Sequence, residues 1–68
     1  MRLKDVPYNS LFKLNDETLE KVHRNDPRIR FLVPRVSSGH IFCIPYYEGY
    51  ITHVISQIHE NIEVEKID

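Results

Sequence analysis

The amino-acid sequence predicts a small, mainly β domain built on a strongly bent antiparallel sheet. Short segments rich in β-branched and aromatic residues recur along its 68 residues, and such residues are favoured in strands. Prolines and glycines separate these segments, with the clearest turn signals at Asp26-Pro27, Ser37-Ser38-Gly39 and Glu48-Gly49. A chain of this length is expected to form a single domain over residues 1–68.

Three strands are expected from the apolar pattern. Residues 10–14 form the first. Residues 28–36 alternate between two faces, and residues 40–46 follow directly after the Ser-Ser-Gly turn. The last two runs therefore predict a central β-hairpin with Gly39 at positive φ. Pro34 has no N–H to donate, so we expect a bend or bulge at that point of the strand.

Two segments are open to more than one interpretation. In residues 16–24, Asp16 resembles a helix N-cap, and Leu19, Val22 and His23 have helical spacing, but the same residues also alternate as a strand would. In residues 51–60, apolar residues recur at helical intervals despite a high content of β-branched residues. We expect a short helix over 51–60, followed by a short strand over 62–66.

The N-terminal segment resembles the opening of small phage and prophage accessory proteins. It runs Leu3-Lys4-Asp5-Val6-Pro7-Tyr8-Asn9-Ser10-Leu11-Phe12, where those proteins have Leu-Lys-Asp-Leu-Pro-x-Gly-x-x-Phe, a strand hairpin and a later Ser/Thr-Gly turn. Asn9 takes the place of glycine, a mild change because asparagine also tolerates a left-handed conformation. Lys21-Val22 and Ser38-Gly39 lie where such proteins place them.

This resemblance covers about the first 45 residues and implies an SH3-like β-barrel. It also implies that residues 18–24 form a strand instead of a helix. It further implies a viral, phage-encoded accessory protein, and it implies no reaction.

Charge argues against a general affinity for nucleic acid or anionic lipid, because the net charge is −1. The charged residues are distributed unevenly along the chain. Residues 21–47 carry five basic side chains and one acidic side chain, a net of +4, and residues 48–68 carry five acidic and one basic, a net of −4. These two segments either neutralise each other in the fold or mark a docking face.

Cys43 is the only cysteine, which excludes an internal disulfide and is typical of a reducing compartment. The sequence shows no leader-like segment and no apolar stretch of membrane-spanning length. A cytoplasmic location is therefore expected, in the host cytoplasm if the protein is phage-encoded.

Histidine and cysteine spacing does not indicate a metal or cofactor site. His40 and Cys43 would point to opposite faces of a strand, and His53 and His59 to different faces of a helix. A site assembled from positions distant in sequence is the remaining alternative. Cys43 lies among apolar residues of a predicted strand and is expected to act as a small buried hydrophobe. We therefore expect no catalytic residues and no enzyme activity.

Binding to a protein is the function that the sequence favours. Tyrosine and arginine dominate interface hot spots, and the predicted contact residues are Tyr46, Tyr47, Tyr50, Arg28, Arg30 and Arg35. A non-enzymatic module that inhibits or modulates a host or viral protein is the leading hypothesis. The alternative is a small RNA- or DNA-binding barrel that uses the same residues to stack on bases and contact phosphates.

The apolar residues near the C-terminus suggest a further interpretation. Ile51, Val54, Ile55 and Ile58 form a stripe that either completes the domain core or is the seam of a homodimer.

Overall fold

Five short strands and one turn of 3-10 helix make up the fold. The computed structural model describes residues 1–29, 37–46 and 55–67. The 3-10 turn spans Leu3–Asp5, and the strands are β1 (Leu11–Leu14), β2 (Glu17–Lys21), β3 (His40–Pro45), β4 (Ser56–His59) and β5 (Glu65–Lys66). The predicted mainly β class is confirmed.

All five strands belong to one antiparallel sheet in the order β4-β3-β2-β1-β5. The first four strands pair with their sequence neighbours, and β5 returns to the free side of β1, where Phe12 lies opposite Lys66. Within the described ranges no ladder joins β4 to β5, so the sheet is open and the barrel is not closed.

A two-residue loop at Asn15 and Asp16 joins β1 to β2. Both residues have positive φ, 49° and 66°, and Leu14 pairs directly with Glu17. Positive φ at both central positions is the signature of a type I′ hairpin turn, whose twist matches that of the flanking strands. Asp16 is therefore a turn residue and not a helix N-cap, and the helical interpretation of residues 16–24 is wrong. The strand that the resemblance implied over residues 18–24 is confirmed for residues 18–21, and residues 22–24 lie outside it.

The core lies on both faces of the sheet because β3 is apolar on both sides. Cys43 belongs to the larger buried cluster, whose other members are Leu3, Val6, Phe12, Leu19 and Val64. Phe42 and Ile44 point the other way, into the smaller cluster with Val22 and Ile29. A strand buried on both faces loses the usual alternation of polar and apolar residues, which describes the run Ile41-Phe42-Cys43-Ile44.

The N-terminal segment and residues 60–64 together cover the larger cluster. Leu3 N–H donates to the Ile62 carbonyl at 2.9 Å, and Val64 N–H donates to the Met1 carbonyl at 2.7 Å. The Met1 ammonium also lies 3.0 Å from the Glu63 carboxylate. Leu3 and Val6 are thereby held against the sheet, with at most 1% of either residue exposed.

The helix expected over residues 51–60 is wrong for its second half. Ser56–His59 is strand β4, which pairs with residues 40–43 of β3, and residues 51–54 lie outside the described part. Cross-strand pairing outweighs the helical spacing of the isoleucines, in keeping with the strand preference of β-branched residues. The strand expected over residues 62–66 is found as β5, preceded by a bridge between Arg2 and Glu63.

The central hairpin is confirmed only in its second strand, β3. The Ser37–Gly39 turn precedes it, and Gly39 has φ 74° as predicted. Arg28 and Ile29 lie in a turn, where Ile29 N–H donates to the Asp26 carbonyl. Residues 30–36, which include the predicted bend at Pro34, lie outside the described residues. The turn predicted at Glu48-Gly49 lies outside them as well. The two described neighbours of β3 are β2 and β4.

No helix within the described ranges is long and apolar enough to cross a membrane.

Candidate binding site

Lys21, the last residue of β2, has a buried ammonium that holds the N-terminal segment in place. Lys21 is only 3% exposed, and its Nζ donates to the carbonyls of Leu3 (3.1 Å), Lys4 (3.3 Å) and Val6 (2.6 Å). An ammonium has three N–H donors, so each of them is used. Burial lowers the pKa of Lys21, and the nearby Cys43 and Asp5 partly offset this effect.

A cleft opens where β2 separates from β3. Pairing of the two strands ends with the hydrogen bond from Val22 N–H to the Phe42 carbonyl at 3.1 Å. The chain then turns away, because His23 accepts two hydrogen bonds: Asn25 N–H donates to its Nδ1 at 3.1 Å, and Asp26 N–H donates to its carbonyl at 2.8 Å. The first residues of β3 therefore extend beyond the end of β2.

The cleft has a volume of about 140 Å³ and both polar and apolar walls. This space is enough for one side chain of a ligand and not for a folded element. Its described lining comes from the N-terminal segment, the end of β2 and the start of β3: Tyr8, Val22, His23, Arg24, His40, Ile41 and Phe42. None of these side chains is acidic.

Hydrogen bonds indicate which ring nitrogen carries the proton in each of the two imidazoles in the cleft. His23 Nδ1 accepts from Asn25 N–H, so the ring proton lies on Nε2 and can be donated to a ligand. His40 Nδ1 lies 2.9 Å from the Ser38 carbonyl. A carbonyl can only accept, so His40 carries its proton on Nδ1 and leaves Nε2 as an acceptor.

Tyr8 forms a half-exposed aromatic wall that other side chains hold in place. Lys21 Nζ lies 4.6 Å from the centre of its ring, within the range of a cation–π contact. The His23 ring packs edge-on against it at 5.4 Å. Tyr8 nevertheless remains 52% exposed, so a ligand can still contact it.

Arg24 and Arg28 differ in their availability to a partner. Arg24 is exposed and makes no hydrogen bond or ion pair with any other residue of the described ranges. Arg28, by contrast, donates to both Glu20 oxygens (3.0 and 2.8 Å) and both Asp26 oxygens (3.0 and 2.8 Å). Four of its five N–H groups are thus used within the domain.

The ionic cluster of Arg28 also shifts the pKa values of its members. The hydrogen bonds from Arg28 lower the pKa of Asp26 below its ordinary value. The two carboxylates raise the pKa of Arg28 in turn. With two negative charges around one positive charge, this cluster is a poor site for a phosphate or another anion.

The structure places two of the six predicted contact residues and shows that both lie on one face of the sheet. Tyr46 is 48% exposed and follows β3, where its N–H donates to the Thr18 carbonyl. Thr18 and Glu20 share a face of β2, and Arg28 binds Glu20 on that face. Arg30, Arg35, Tyr47 and Tyr50 lie outside the described residues, so the predicted tyrosine–arginine surface stays a prediction.

The apolar stripe divides between the two sides of the sheet where it is described. Ile58 packs against the larger cluster and Ile55 against the smaller one. Both therefore contribute to the core, the first of the two roles that the sequence allowed. Ile51 and Val54 are outside the described part of the chain.

Cys43 is buried as the sequence predicted. It is fully inaccessible, and burial raises the pKa of its thiol to about 12, against the opposing effect of the Lys21 ammonium. A thiol of this kind is almost entirely protonated at neutral pH and is a poor nucleophile.

No group of three or more potential metal ligands occurs among the residues described.

Sequence reasoning missed the cleft and two of the residues that shape it. Tyr8 belongs to a segment with no periodic signal, Arg24 is the last residue of the ambiguous segment 16–24, and the cleft depends on where two distant strands part. For Lys21 a signal existed: it alternates with Leu19, so a buried Leu19 on β2 places Lys21 on the same inward face.

Comparisons with protein-family models, with curated proteins and with solved structures find no match. Function is therefore inferred from the side chains of the cleft and their surroundings.

Proposed function

We propose that this protein is a non-enzymatic protein-binding module whose contact surface is centred on the cleft between β2 and β3. The observation that carries the proposal is the exposed Arg24, which has no partner in the described structure and belongs to a cleft whose described lining contains no acidic side chain. The resemblance of the N-terminal segment adds the proposal that the module is phage-encoded and modulates a host or viral protein in the cytoplasm.

The chemistry of the cleft favours an acidic segment of the partner. Arg24 supplies a positive charge, and His23 Nε2–H supplies a neutral donor. Guanidinium–carboxylate contacts are among the stronger hydrogen bonds in proteins. Phe42, Ile41 and Val22 offer apolar surface next to these donors, which suits an acidic residue that has an apolar neighbour.

Preorganisation of the cleft supports a binding role. The Tyr8 ring contacts Lys21 and His23 before any ligand arrives, and Lys21 is itself held by three carbonyls. A rigid aromatic side chain loses little conformational entropy on binding. The entropic cost of ordering the Tyr8 ring on binding is therefore small.

A protein ligand fits these charges better than nucleic acid does. Affinity for nucleic acid comes largely from several cationic side chains that neutralise successive phosphates. The chain has a net charge of −1, and Arg28 is neutralised by Glu20 and Asp26. Among the described residues that line the cleft, Arg24 is the one side chain that provides a contact of the required kind.

The test is a pair of matched peptides titrated into the ¹⁵N-labelled protein. Both are capped pentapeptides with apolar flanking residues, one with a central Glu and the other with a central Gln. We expect the Glu peptide to shift the amide signals of residues 22–25 and 40–42, and the Gln peptide to bind at least fivefold more weakly. Arg24→Gln should remove this preference.

Lys13→Gln is the matched control, because it removes the same charge from an exposed position on β1 and should leave binding unchanged. Equal binding of the two peptides, or equal loss in the two variants, would contradict the proposal. Tight binding of single-stranded RNA at low salt, with shifts at the same amides, would favour the nucleic-acid function instead.

A further inference from the structure

Two histidines face each other across strands β3 and β4. His40 pairs directly with His59, and the neighbouring pair is hydrogen-bonded, with Glu60 N–H donating to the Gly39 carbonyl at 2.8 Å. Hydrogen-bonded and non-hydrogen-bonded pairs alternate in an antiparallel ladder, so His40–His59 is a non-hydrogen-bonded pair. Such pairs bring their side chains closest together, on one face of the sheet.

The separation of the two rings matches that of two imidazoles bound to one metal ion. Their centroids are 5.3 Å apart and their planes are inclined by 82°. A Zn–N bond of about 2.1 Å places each ring centroid about 3.2 Å from the ion, and a tetrahedral angle then separates the centroids by about 5.2 Å.

His40 has the orientation that metal-binding histidines usually show. Its Nδ1–H donates to the Ser38 carbonyl at 2.9 Å, which leaves the Nε2 lone pair free. A backbone carbonyl on the second ring nitrogen is a common partner of a ligating histidine, since it fixes the ring and the tautomer.

His59 needs a change of tautomer and of ring orientation. Its Nδ1 accepts from Asn61 N–H at 3.1 Å, so its ring proton lies on Nε2. Ligation through Nε2 moves that proton to Nδ1 by way of solvent. Because two N–H donors would then face each other, the ring turns away from Asn61 N–H, which donates to water instead. Asn61 and His59 are both exposed, so water can reach them.

We propose that His40 and His59 form a two-histidine site for a divalent transition-metal ion such as Zn²⁺, with the remaining coordination positions open to water. The spacing that argued against a metal site concerned His40 with Cys43 and His53 with His59, and it does not apply to a pair from different strands. Because His40 also lines the cleft, the ion would lie at the edge of the proposed binding surface. The metal site does not depend on the peptide-binding function.

The test is a titration of the tag-free protein with Zn²⁺, followed by thermal unfolding and by imidazole NMR signals. We expect the melting temperature to rise with Zn²⁺ concentration, because the ion binds the folded pairing of β3 with β4. The ring signals of His40 and His59 should shift together. His40→Gln and His59→Gln should each weaken Zn²⁺ binding by more than about tenfold, since even the loss of an outer-shell partner costs 10–100-fold.

Lys13→Gln, at an exposed position on β1, is the control variant and should keep the Zn²⁺ response of the wild type. Mg²⁺ is the control ion and should cause no rise in melting temperature. The proposal is overturned if Zn²⁺ causes no shift, or if the shift persists in the His40 and His59 variants. Folding of these variants is checked by their amide spectra without metal, so that loss of binding is distinguished from loss of structure.

Discussion

At the scale of single residues, Lys21 shows how a charged side chain can organise a small core. It is buried opposite Cys43, a member of the larger cluster, and its ammonium donates to three carbonyls of the N-terminal segment. Of these carbonyls, that of Leu3 also accepts from Val6 N–H at 3.1 Å. Composition alone does not predict this role, because lysine side chains are mostly exposed and are almost never fully buried without a partner. The burial of Cys43 was predictable, since its apolar neighbours are adjacent in sequence.

Lys21→Met tests this role. The substitution keeps most of the stem and removes the three donors, so buried carbonyls lose their partners. We expect a loss of about 2 kcal/mol in the free energy of unfolding, measured with urea. Lys13→Met, at an exposed position on β1, is the control and should change stability by less than about 0.5 kcal/mol. Equal effects of the two variants would show that the carbonyl contacts do not stabilise the fold.

At the scale of elements, strands were predictable where turn signals bounded them and ambiguous where helical spacing competed. β1 and β3 follow from β-branched and aromatic runs next to turns. Asp16 misled because aspartate is common both at helix N-caps and in left-handed turn positions. Residues 51–60 misled because their apolar residues recur at helical intervals, whereas Ile58 pairs across the strands with Ile41 of β3. In both cases the deciding interactions are cross-strand contacts, which local pattern does not contain.

Asp16→Gly should strengthen the β1–β2 hairpin. Asp16 has φ 66°, a region that glycine enters without steric cost and that Asn-Gly turns favour. The expected gain is about 0.5 kcal/mol in the free energy of unfolding, seen as a higher melting temperature. Glu17→Gly, one residue later in strand β2, should instead destabilise by about 0.5–1 kcal/mol. A loss of stability in Asp16→Gly would contradict the type I′ assignment.

At the scale of the whole molecule, the fold depends on a thin layer of apolar side chains above an open sheet. The N-terminal segment and residues 60–64 supply that layer.

The class of the fold can be predicted from composition and turns. The cleft cannot, because its position depends on where β2 leaves β3. That point is set by the turn at His23 together with the length of the β2–β3 ladder. The turn is local, because its hydrogen bonds join residues 23–26, but the ladder pairs residues that are distant in sequence, such as Lys21 and Cys43.

Leu3→Ala measures how much the covering layer contributes. Leu3 is fully buried, and such a truncation costs about 2–5 kcal/mol, whereas a domain of this size has about 3–5 kcal/mol in total. We expect a largely unfolded protein at 37 °C by circular dichroism. Ile62→Ala, at a side chain that is 39% exposed, should remain folded. A cooperative transition near the wild-type temperature in Leu3→Ala would show that the sheet is stable without its cover.

The pairing of residues 1–4 with residues 60–64 sets the order of events during synthesis. Leu3 and Val6 leave the ribosome early, but their partners Ile62 and Val64 follow about 60 residues later. At about 5–20 residues per second, this delay lasts about 3–12 s. During that time both side chains are open to chaperones and to non-native collapse. The contact that covers the larger cluster therefore becomes available only after β1 to β4 have been synthesised.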